Sequence, residues 1–596
     1  MEDQLRALGA SCDWSREKFT LDPEISRLVW ETFVKMYREG LVYRGYRIVN
    51  WCPRCRSTLA DVELEWKEQT DPLYYIKYGP FVLATVRPET KFGDTAVAVH
   101  PEDSRYNKYV GEEIEVEGLL GKFKLKVIAD EMVDKAFGTG VIKVTPGHDP
   151  VDWEIGQRHN LEVKSVIDVD GRLTELTGQY KGLKVAEARK KVAADLEAKG
   201  LLVKVEPDYK HQVATCERCS TIIEPLVSRQ WFIKTKILAE GAIKAAEDGR
   251  VKITPEKYEK MYFNWMRNIR DWPISRQIWW GHQLPVWYRR EEQKSEEQLR
   301  EFELLKKGDS RARTDVLESP TVAVEQPETP GDWIRDPDTF DTWFSSGQWP
   351  VNTLKTSGRG DLERFYPTSV MNTAYEILFL WVARMIMFGL YLTGEVPFRV
   401  ALINGVLRDE KGAKMSKSKG NGVNPNEAIE KYGADAVRMA LAAGRDNGND
   451  LLISKQQMEE RIRGYRNFAN KIWSAARFAA ANPPSPMVDE IESEFLRIKI
   501  KEIEIEVTQM MERFYLGQAA EKLYGDFWHW FCDECIEKSK KGEISKSDLF
   551  HLLIRFLKLL HPFMPFVTEA VWGEIANLRK YPEQMLINSK WPKNEG

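Results

Sequence analysis

The spacing of apolar residues changes along the chain, and the changes divide it. Ile25, Leu28, Val29, Phe33 and Met36 recur at helical spacing. Asp22-Pro23-Glu24 offers an N-cap followed by a first-turn proline, and Gly40 ends the predicted helix. Leu41–Tyr43 and Tyr46–Val49 then read as two short strands. Between 73 and 205 the pattern shortens to alternation, with strands predicted at Tyr74–Tyr78, Phe81–Thr85 and Gly140–Thr145. Tyr366–Val370, an apolar helix over Ile377–Tyr391 and Val400–Ile403 predict the strand–helix–strand unit of a nucleotide-binding α/β sheet. From 427 to 596 the period is helical again. Ile462, Tyr465, Ala469, Ile472, Trp473 and Ala476 form one stripe, and Phe514, Leu516, Ala519, Ala520, Leu523 and Phe527 another.

Composition narrows the class. A chain of 596 residues, 43 % hydrophobic and 30 % charged, has the make-up of a soluble globular protein of several domains. No apolar run of spanning length is evident, so no membrane partner is expected, and the start lacks the features of a signal peptide. A net charge of −4 gives no bulk attraction for nucleic acid, so any RNA contact must use local basic patches, such as Arg461, Arg463, Arg466 and Lys471. Six of the seven cysteines fall in Cys-x-x-Cys pairs, which points to reduced thiols or metal and to a cytoplasmic location. Cys52-Pro-Arg-Cys55 and Cys216-Glu-Arg-Cys219 suit a tetrahedral structural zinc, with the intervening chain looped out. Cys532 and Cys535 have no second pair nearby and read as packing or surface thiols. The cysteine-free, charge-rich stretch 289–328 reads as a charged helix and loop without chemistry.

The densest chemistry is Lys411-Gly-Ala-Lys-Met-Ser-Lys-Ser-Lys-Gly-Asn421. Its lysines lie among small residues, with Gly412 and Gly420 as hinges, so mobile ammonium groups can gather around a polyphosphate. Lys414-Met-Ser-Lys-Ser418 resembles the signature loop of class I aminoacyl-tRNA synthetases. Asn268–His282 and Asp338–Ser346 resemble segments of the same family's catalytic core. Thr85–Thr90, Gly93-Asp-Thr95, Phe137–Gly140 and Pro146–Pro150 with Asp152 resemble its editing domain. Leu8–Ser15, His148–Asp152 and Gly156–Leu161 are closest to the valyl branch.

The resemblance implies a multidomain α/β fold. A partial Rossmann-type catalytic domain (1–50 and 226–426) would carry an inserted β-rich editing domain (73–205) on a zinc-knuckle stalk (51–72 and 206–225), followed by an α-helical anticodon-binding bundle (427–596). It implies ATP, Mg²⁺ and structural Zn²⁺, with valine and tRNA(Val) as partners. Lys414 and Lys417 would stabilise charge in the synthetic step. Ser416, Ser418, Glu376, Asn404, Gly405, Gly281 and His282 would complete the ATP site, and Trp279 and Trp280 would wall the amino-acid pocket. In the editing domain Asp149 and Asp152 would accept hydrogen bonds from threonine, while Arg87, Thr90, Phe137, Lys143 and Thr145 hold the ester and the tRNA end. Such a second site is needed because an apolar pocket cannot strongly reject an isostere that adds a hydroxyl.

Three departures stand out. Ala374-Tyr375-Glu376 occupies the usual Gly-x-Asp, Asn404 stands where His is common, and no His-x-Gly-His motif occurs. The last predicts a missing N-terminal portion, lost or supplied by a separate polypeptide. Two alternatives follow: a tRNA-binding module that only edits in trans, and the isoleucyl form, which Cys12–Ser15 and His148–Pro150 disfavour.

Overall fold

The computed structural model describes residues 2–307, 312–358, 360–415, 420–445, 448–480, 491–579 and 585–592. The first expected helix is α1 (Pro23–Arg38), and it buries Ile25, Val29, Phe33 and Met36. Asp22 stands at its N-cap position without capping it; the carboxylate turns back to accept the Phe19 N–H at 3.0 Å. The two short strands expected next are one, β1 (Val42–Cys52), because Gly45 stays within the ladder.

Beyond Cys55 the chain leaves through β2 (Leu64–Tyr78). It builds a mixed four-stranded sheet from Glu113–Gly118, β3 (Ala96–Val99), β4 (Gly121–Ala129) and β5 (Val141–Val144), with β3 between β4 and β5. After α2 (Pro150–Arg158) it returns through β6 (Leu202–Cys216), antiparallel to β2 from Leu64 opposite Cys216 to Ile76 opposite Leu202. Two long strands thus run unbroken past positions 72 and 205, with a bulge at Asp71–Leu73. The unit they carry has its own core, including Ile76, Leu83, Val97, Val127 and Leu196.

β7 (Glu224–Ile233) brings the chain back, antiparallel to β1, with Gly45 opposite Gln230. The nucleotide-binding type of sheet is three parallel strands: β8 (Lys252–Thr254), β9 (Thr368–Ala374) and, between them, β10 (Phe398–Asn404). The β9–β10 crossover opens with a tight turn at Tyr375–Ile377 and one π turn, Leu378–Val382, before α3 (Ala383–Thr393). Contrary to expectation, Tyr375–Thr393 is long and apolar enough by length and composition to cross a membrane. Its apolar side chains instead pack on β8 and β10, where Leu378, Val382, Ile386, Ile253 and Ala401 share one core.

The charged stretch after 289 is docked. Ser295 caps the helix Glu296–Lys306, and Phe302 and Leu317 enter the core that holds α1. The helical remainder buries Phe468, Ile472, Ala476, Ala519, Ala520, Leu523 and Phe527 in one cluster. Trp473 falls off its predicted stripe, at 40 % exposure, and Phe514 sits at the turn between two helices in a left-handed conformation (φ 62°). Cys532 and Cys535 are buried in the same cluster, as packing thiols.

Candidate functional site

The four stalk cysteines converge. Their sulfurs lie within 4.8 Å of one another, with Cys219 Sγ 3.5 Å from both Cys52 Sγ and Cys55 Sγ. Each knuckle closes the same way: the Arg56 N–H donates to Cys52 O and the Ser220 N–H to Cys216 O, both at 2.7 Å. Arg56 and Ser220 both take left-handed conformations. Metal–sulfur bonds of about 2.3 Å at tetrahedral angles separate sulfurs by roughly 3.8 Å. The quartet fits such an ion with little movement; β6 ends in it at Cys216, and β2 starts at Leu64 opposite that cysteine.

A cleft of about 450 Å³ opens at the sheet of the looped-out unit, lined by Arg87, Thr90, Phe137, Lys143, Thr145, Asp149 and Asp152 among others. The structure therefore brings all seven expected residues to one place. Lys143 Nζ donates to Thr145 Oγ1 (2.5 Å), Thr90 Oγ1 (2.9 Å) and Asp94 Oδ1 (3.2 Å). Asp149 caps α2, accepting the Val151 and Asp152 N–H groups at 2.8 and 3.1 Å. Asp152, one turn on, accepts the Thr145 N–H at 2.8 Å. Burial and then the neighbouring Asp149 charge push its carboxyl up to about 7, against the pull of Lys143.

Arg87 is committed elsewhere: its guanidinium pairs with Glu224 of β7 and lies 3.3 Å from Glu89, which Arg189 also holds at 2.9 Å. It ties the unit to the body as well as lining the cleft. His148 is held in its neutral form. Its Nε2 accepts the Val166 N–H at 2.7 Å, and burial followed by the Arg87 charge pushes it down to about 3. Phe137 stands at the cleft, 37 % exposed, edge-on to Tyr209 with ring centroids 6.3 Å apart. No role was expected for Asp94, although it sits in one of the motifs; the spacing to Lys143 was silent because the two meet across neighbouring chain segments.

A second set gathers at the C-terminal ends of the parallel strands, where ligands of open α/β sheets bind. Ala374 of β9 lies opposite Asn404 of β10. Two residues past β9, the Glu376 carboxylate pairs with the Lys414 ammonium. Arg408 braces the pair. It donates to the Tyr375 hydroxyl at 2.6 Å, pairs with Asp450, and lies 4.0 Å from the Glu376 carboxylate. Arg408, Tyr375 and Asp450 were missed because only their meeting in space marks them. Ser416, Lys417 and Ser418 lie outside the described residues.

Several expected ATP and valine contacts are placed otherwise. The Asn404 amide donates to Gly405 O at 2.8 Å, and a Cβ on Gly405 would fall 1.9 Å from Asn449 O. That glycine is required by backbone packing. Gly281 packs on Thr339, and His282 is buried, pushed down to about 4 by its burial, with Nε2 unpartnered among the described residues. No hydrogen bond or ion pair joins either to Glu376 or Lys414 among the described residues. Trp279 and Trp280 meet edge to face and are 90 % and 62 % exposed; Trp279 borders an open cavity of about 320 Å³ with Trp51, Gln230, Gln277 and Asp338, and Trp280 lies outside its lining. In the bundle, Arg461 donates to Ala440 O (2.9 Å) and to Ala443 O, which removes it from the expected basic patch.

Comparisons with known proteins identify the family. The family described as tRNA synthetases class I (I, L, M and V) matches residues 1–454, and the Anticodon-binding domain of tRNA ligase matches 494–596. The chain is 44 % identical to the valine--tRNA ligase of Clostridium tetani, over 100 % of its own length and 67 % of the relative's. It is 44 % identical to that of Carboxydothermus hydrogenoformans, over 99 % and 66 %. It thus spans about two thirds of the length of these curated relatives. Among solved structures it shares the fold of a LeuRS–tRNA complex from Agrobacterium radiobacter K84 (TM-score 0.53, 18 % identity, covering 100 % of this chain and 77 % of that one). It also shares that of Mycobacterium tuberculosis methionyl-tRNA synthetase (TM-score 0.51, 14 % identity, 98 % and 82 %). These findings favour neither the separate editing module nor the isoleucyl form, and they lend no support to a separate polypeptide partner. With matched domains over most of its length and valine enzymes as its relatives, the chain belongs to the class I tRNA synthetases, on the branch of the valine--tRNA ligases.

Proposed function

We propose that the chain carries machinery for activating valine with ATP and attaching it to tRNA(Val), and that its cleft hydrolyses mischarged threonyl-tRNA. The observation that carries the synthetic part is the meeting of Glu376 and Lys414 at the strand ends. Activation joins a valine carboxylate oxygen to the α-phosphorus of ATP and releases pyrophosphate. A terminal ribose hydroxyl of tRNA then takes the valyl group and AMP leaves. Neither step needs a side-chain nucleophile, so positioning and charge neutralisation supply the rate. Lys414, with Lys417 of the same loop, would neutralise the phosphates, and Glu376, once released, would accept a ribose hydroxyl. Mg²⁺ would add charge neutralisation on the phosphates.

The hydrolytic part rests on the preformed, open cleft, whose floor is buried. Asp149 and Asp152 each keep one carboxylate oxygen free of the contacts described above, suited to the ammonium and hydroxyl of a threonyl group. Lys143 and Arg87 give the floor positive charge. Zinc at the cysteine quartet would be structural, since four sulfurs leave no position for water. The cytoplasm, which supplies tRNA, ATP and reduced thiols, is the fitting compartment. Valine-dependent ATP–pyrophosphate exchange tests the synthetic reading, and deacylation of Thr-tRNA(Val) beside Val-tRNA(Val) tests the hydrolytic one. Exchange with isoleucine in preference to valine, or equal hydrolysis of both esters, would overturn the respective part.

A further inference from the structure

Beneath the cleft lies a carboxylate that lines none of it. Asp94 follows the turn Pro88–Gly93 and is only 3 % exposed. Its Oδ1 accepts from Thr145 Oγ1 at 2.6 Å and from Lys143 Nζ at 3.2 Å; its Oδ2 accepts the Tyr78 hydroxyl at 2.6 Å. An ammonium has three N–H bonds. Those of Lys143 are directed to Thr90, Thr145 and Asp94, so none is left for a bound ester. A second buried cation, Lys91, lies 5.0 Å from the Tyr78 ring centre and 5.3 Å from that of Phe123, behind the same carboxylate.

We propose that Asp94 is a positioning residue of the hydrolytic cleft: it anchors Lys143 as a fixed, internally saturated charge that sets the ionisation of Asp152 and does not itself donate to substrate. This rests on the hydrolytic reading above. A lysine free to swing would pair with Asp149 or Asp152 and occupy the oxygens that threonine needs. Held by Asp94, it attracts Asp152 from below without covering it. Asp152 is faced by Asp149 on its own helix, by Lys143 from β5 and by Asp94 from the turn. Arg87, Asp134 and the neutral His148 complete the titratable lining of the cleft. Removing the Asp94 charge takes away one repulsive neighbour and leaves the lysine less neutralised, so Asp152 ionises at lower pH.

The test is Asp94→Asn, which keeps the shape, read in two ways on the full chain. The pH dependence of Thr-tRNA deacylation is expected to keep its form while its midpoint moves toward acid by roughly half a unit or more. A merely structural loss would lower the rate at every pH and leave the midpoint in place. Independently of activity, amine-selective labelling read by mass spectrometry is expected to rise about tenfold at Lys143, because a charge-assisted hydrogen bond is gone. Labelling of the surface lysine Lys124 serves as control. If the unaltered chain shows no deacylation at any pH, the hydrolytic reading fails and labelling alone decides the role of Asp94. An unmoved midpoint in an active enzyme, or unchanged Lys143 labelling, overturns the proposal.

Discussion

The cleft and the strand-end site are both built around one lysine facing a carboxylate, yet they treat that pair in opposite ways. The Lys143 side chain is 10 % exposed and faces the fully buried Asp94, with two threonine hydroxyls completing its bonds. The Lys414 side chain is 52 % exposed and meets a Glu376 side chain that is 31 % exposed. An exposed pair contributes between nothing and about 1 kcal/mol, so a polyphosphate can displace it easily. A buried pair costs about 3–5 kcal/mol to break by removing one partner, so it stays made. Buried charge is suited to a fixed electrostatic floor, and exposed charge to a group that must change partners during the reaction.

The cysteine quartet anchors the two strands that join the cleft to the body, so its loss tests the comparison most severely. A structural zinc site contributes apparent binding energy of about 10–16 kcal/mol. Cys216→Ser, or chelation, is expected to remove bound zinc in metal analysis. It is also expected to give the β2–β6 ribbon its own early unfolding transition in calorimetry. The strand-end site should keep its ATP affinity if the two regions are independent; losing it together with the metal would show that they are coupled.

Next in size is the contrast between the two lysines. Lys143→Met leaves Asp94 buried without its cation and is expected to cost about 3–5 kcal/mol in chemical denaturation. Lys414→Met should change stability by less than about 0.5 kcal/mol while lowering valine-dependent exchange by about 10²–10³, the loss typical of one transition-state charge contact. Equal effects of the two substitutions on stability would break the comparison.

A third expectation concerns pH. The Asp152 carboxyl titrates at about 7 in the folded chain, against about 3.9 unfolded. Its folded value is raised, so between these values the native state binds the extra proton. Stability from this group is full below about pH 4 and declines as pH rises through about 7. Asp152→Asn should therefore match the parent in stability near pH 4 and exceed it by a few kcal/mol above pH 7, read from denaturation midpoints at both ends. The same substitution should abolish selective Thr-tRNA hydrolysis.

How much of this was legible in the sequence follows the nature of each signal. Local periodicity placed α1, the alternating strands and the helical stripes, because those patterns are written within a few residues of one another. The pairs Cys52–Cys55 and Cys216–Cys219 were readable despite their separation, because two thiols three residues apart turn their sulfurs toward one point and two such pairs complete a tetrahedron. Two local readings misled: the strands read at Leu41–Tyr43 and Tyr46–Val49 are one ladder through Gly45, and Gly405, read as a nucleotide contact, makes room for Asn449. Partnerships of polar groups were the least legible. Asp94 with Lys143, Arg408 with Asp450 and Arg87 with Glu224 join residues whose neighbours in sequence say nothing of their partners in space.

The smallest effect is expected at the tryptophans, and it sharpens what the strand-end site lacks. Read as sequence, Trp279 and Trp280 wall the valine pocket; as placed, 90 % of Trp279 faces solvent, whereas Trp272, a few residues earlier, is 3 % exposed beneath Arg384. Burial sets the cost of truncation, so Trp272→Ala should lose about 3–5 kcal/mol and Trp279→Ala less than about 0.5. Denaturation of the two variants separates these outcomes, and valine-dependent exchange adds the functional readout. An unchanged valine KM in Trp279→Ala would place the amino-acid pocket elsewhere. Trp381, a little over one turn beyond Glu376, would then be the aromatic to test, although its indole N–H already donates to Ser346 O at 3.1 Å. A tenfold rise in KM without loss of stability would instead mean that the Trp279 loop folds inward over bound valine, and the strand-end site would then be assembled by its substrates, in contrast to the prebuilt cleft.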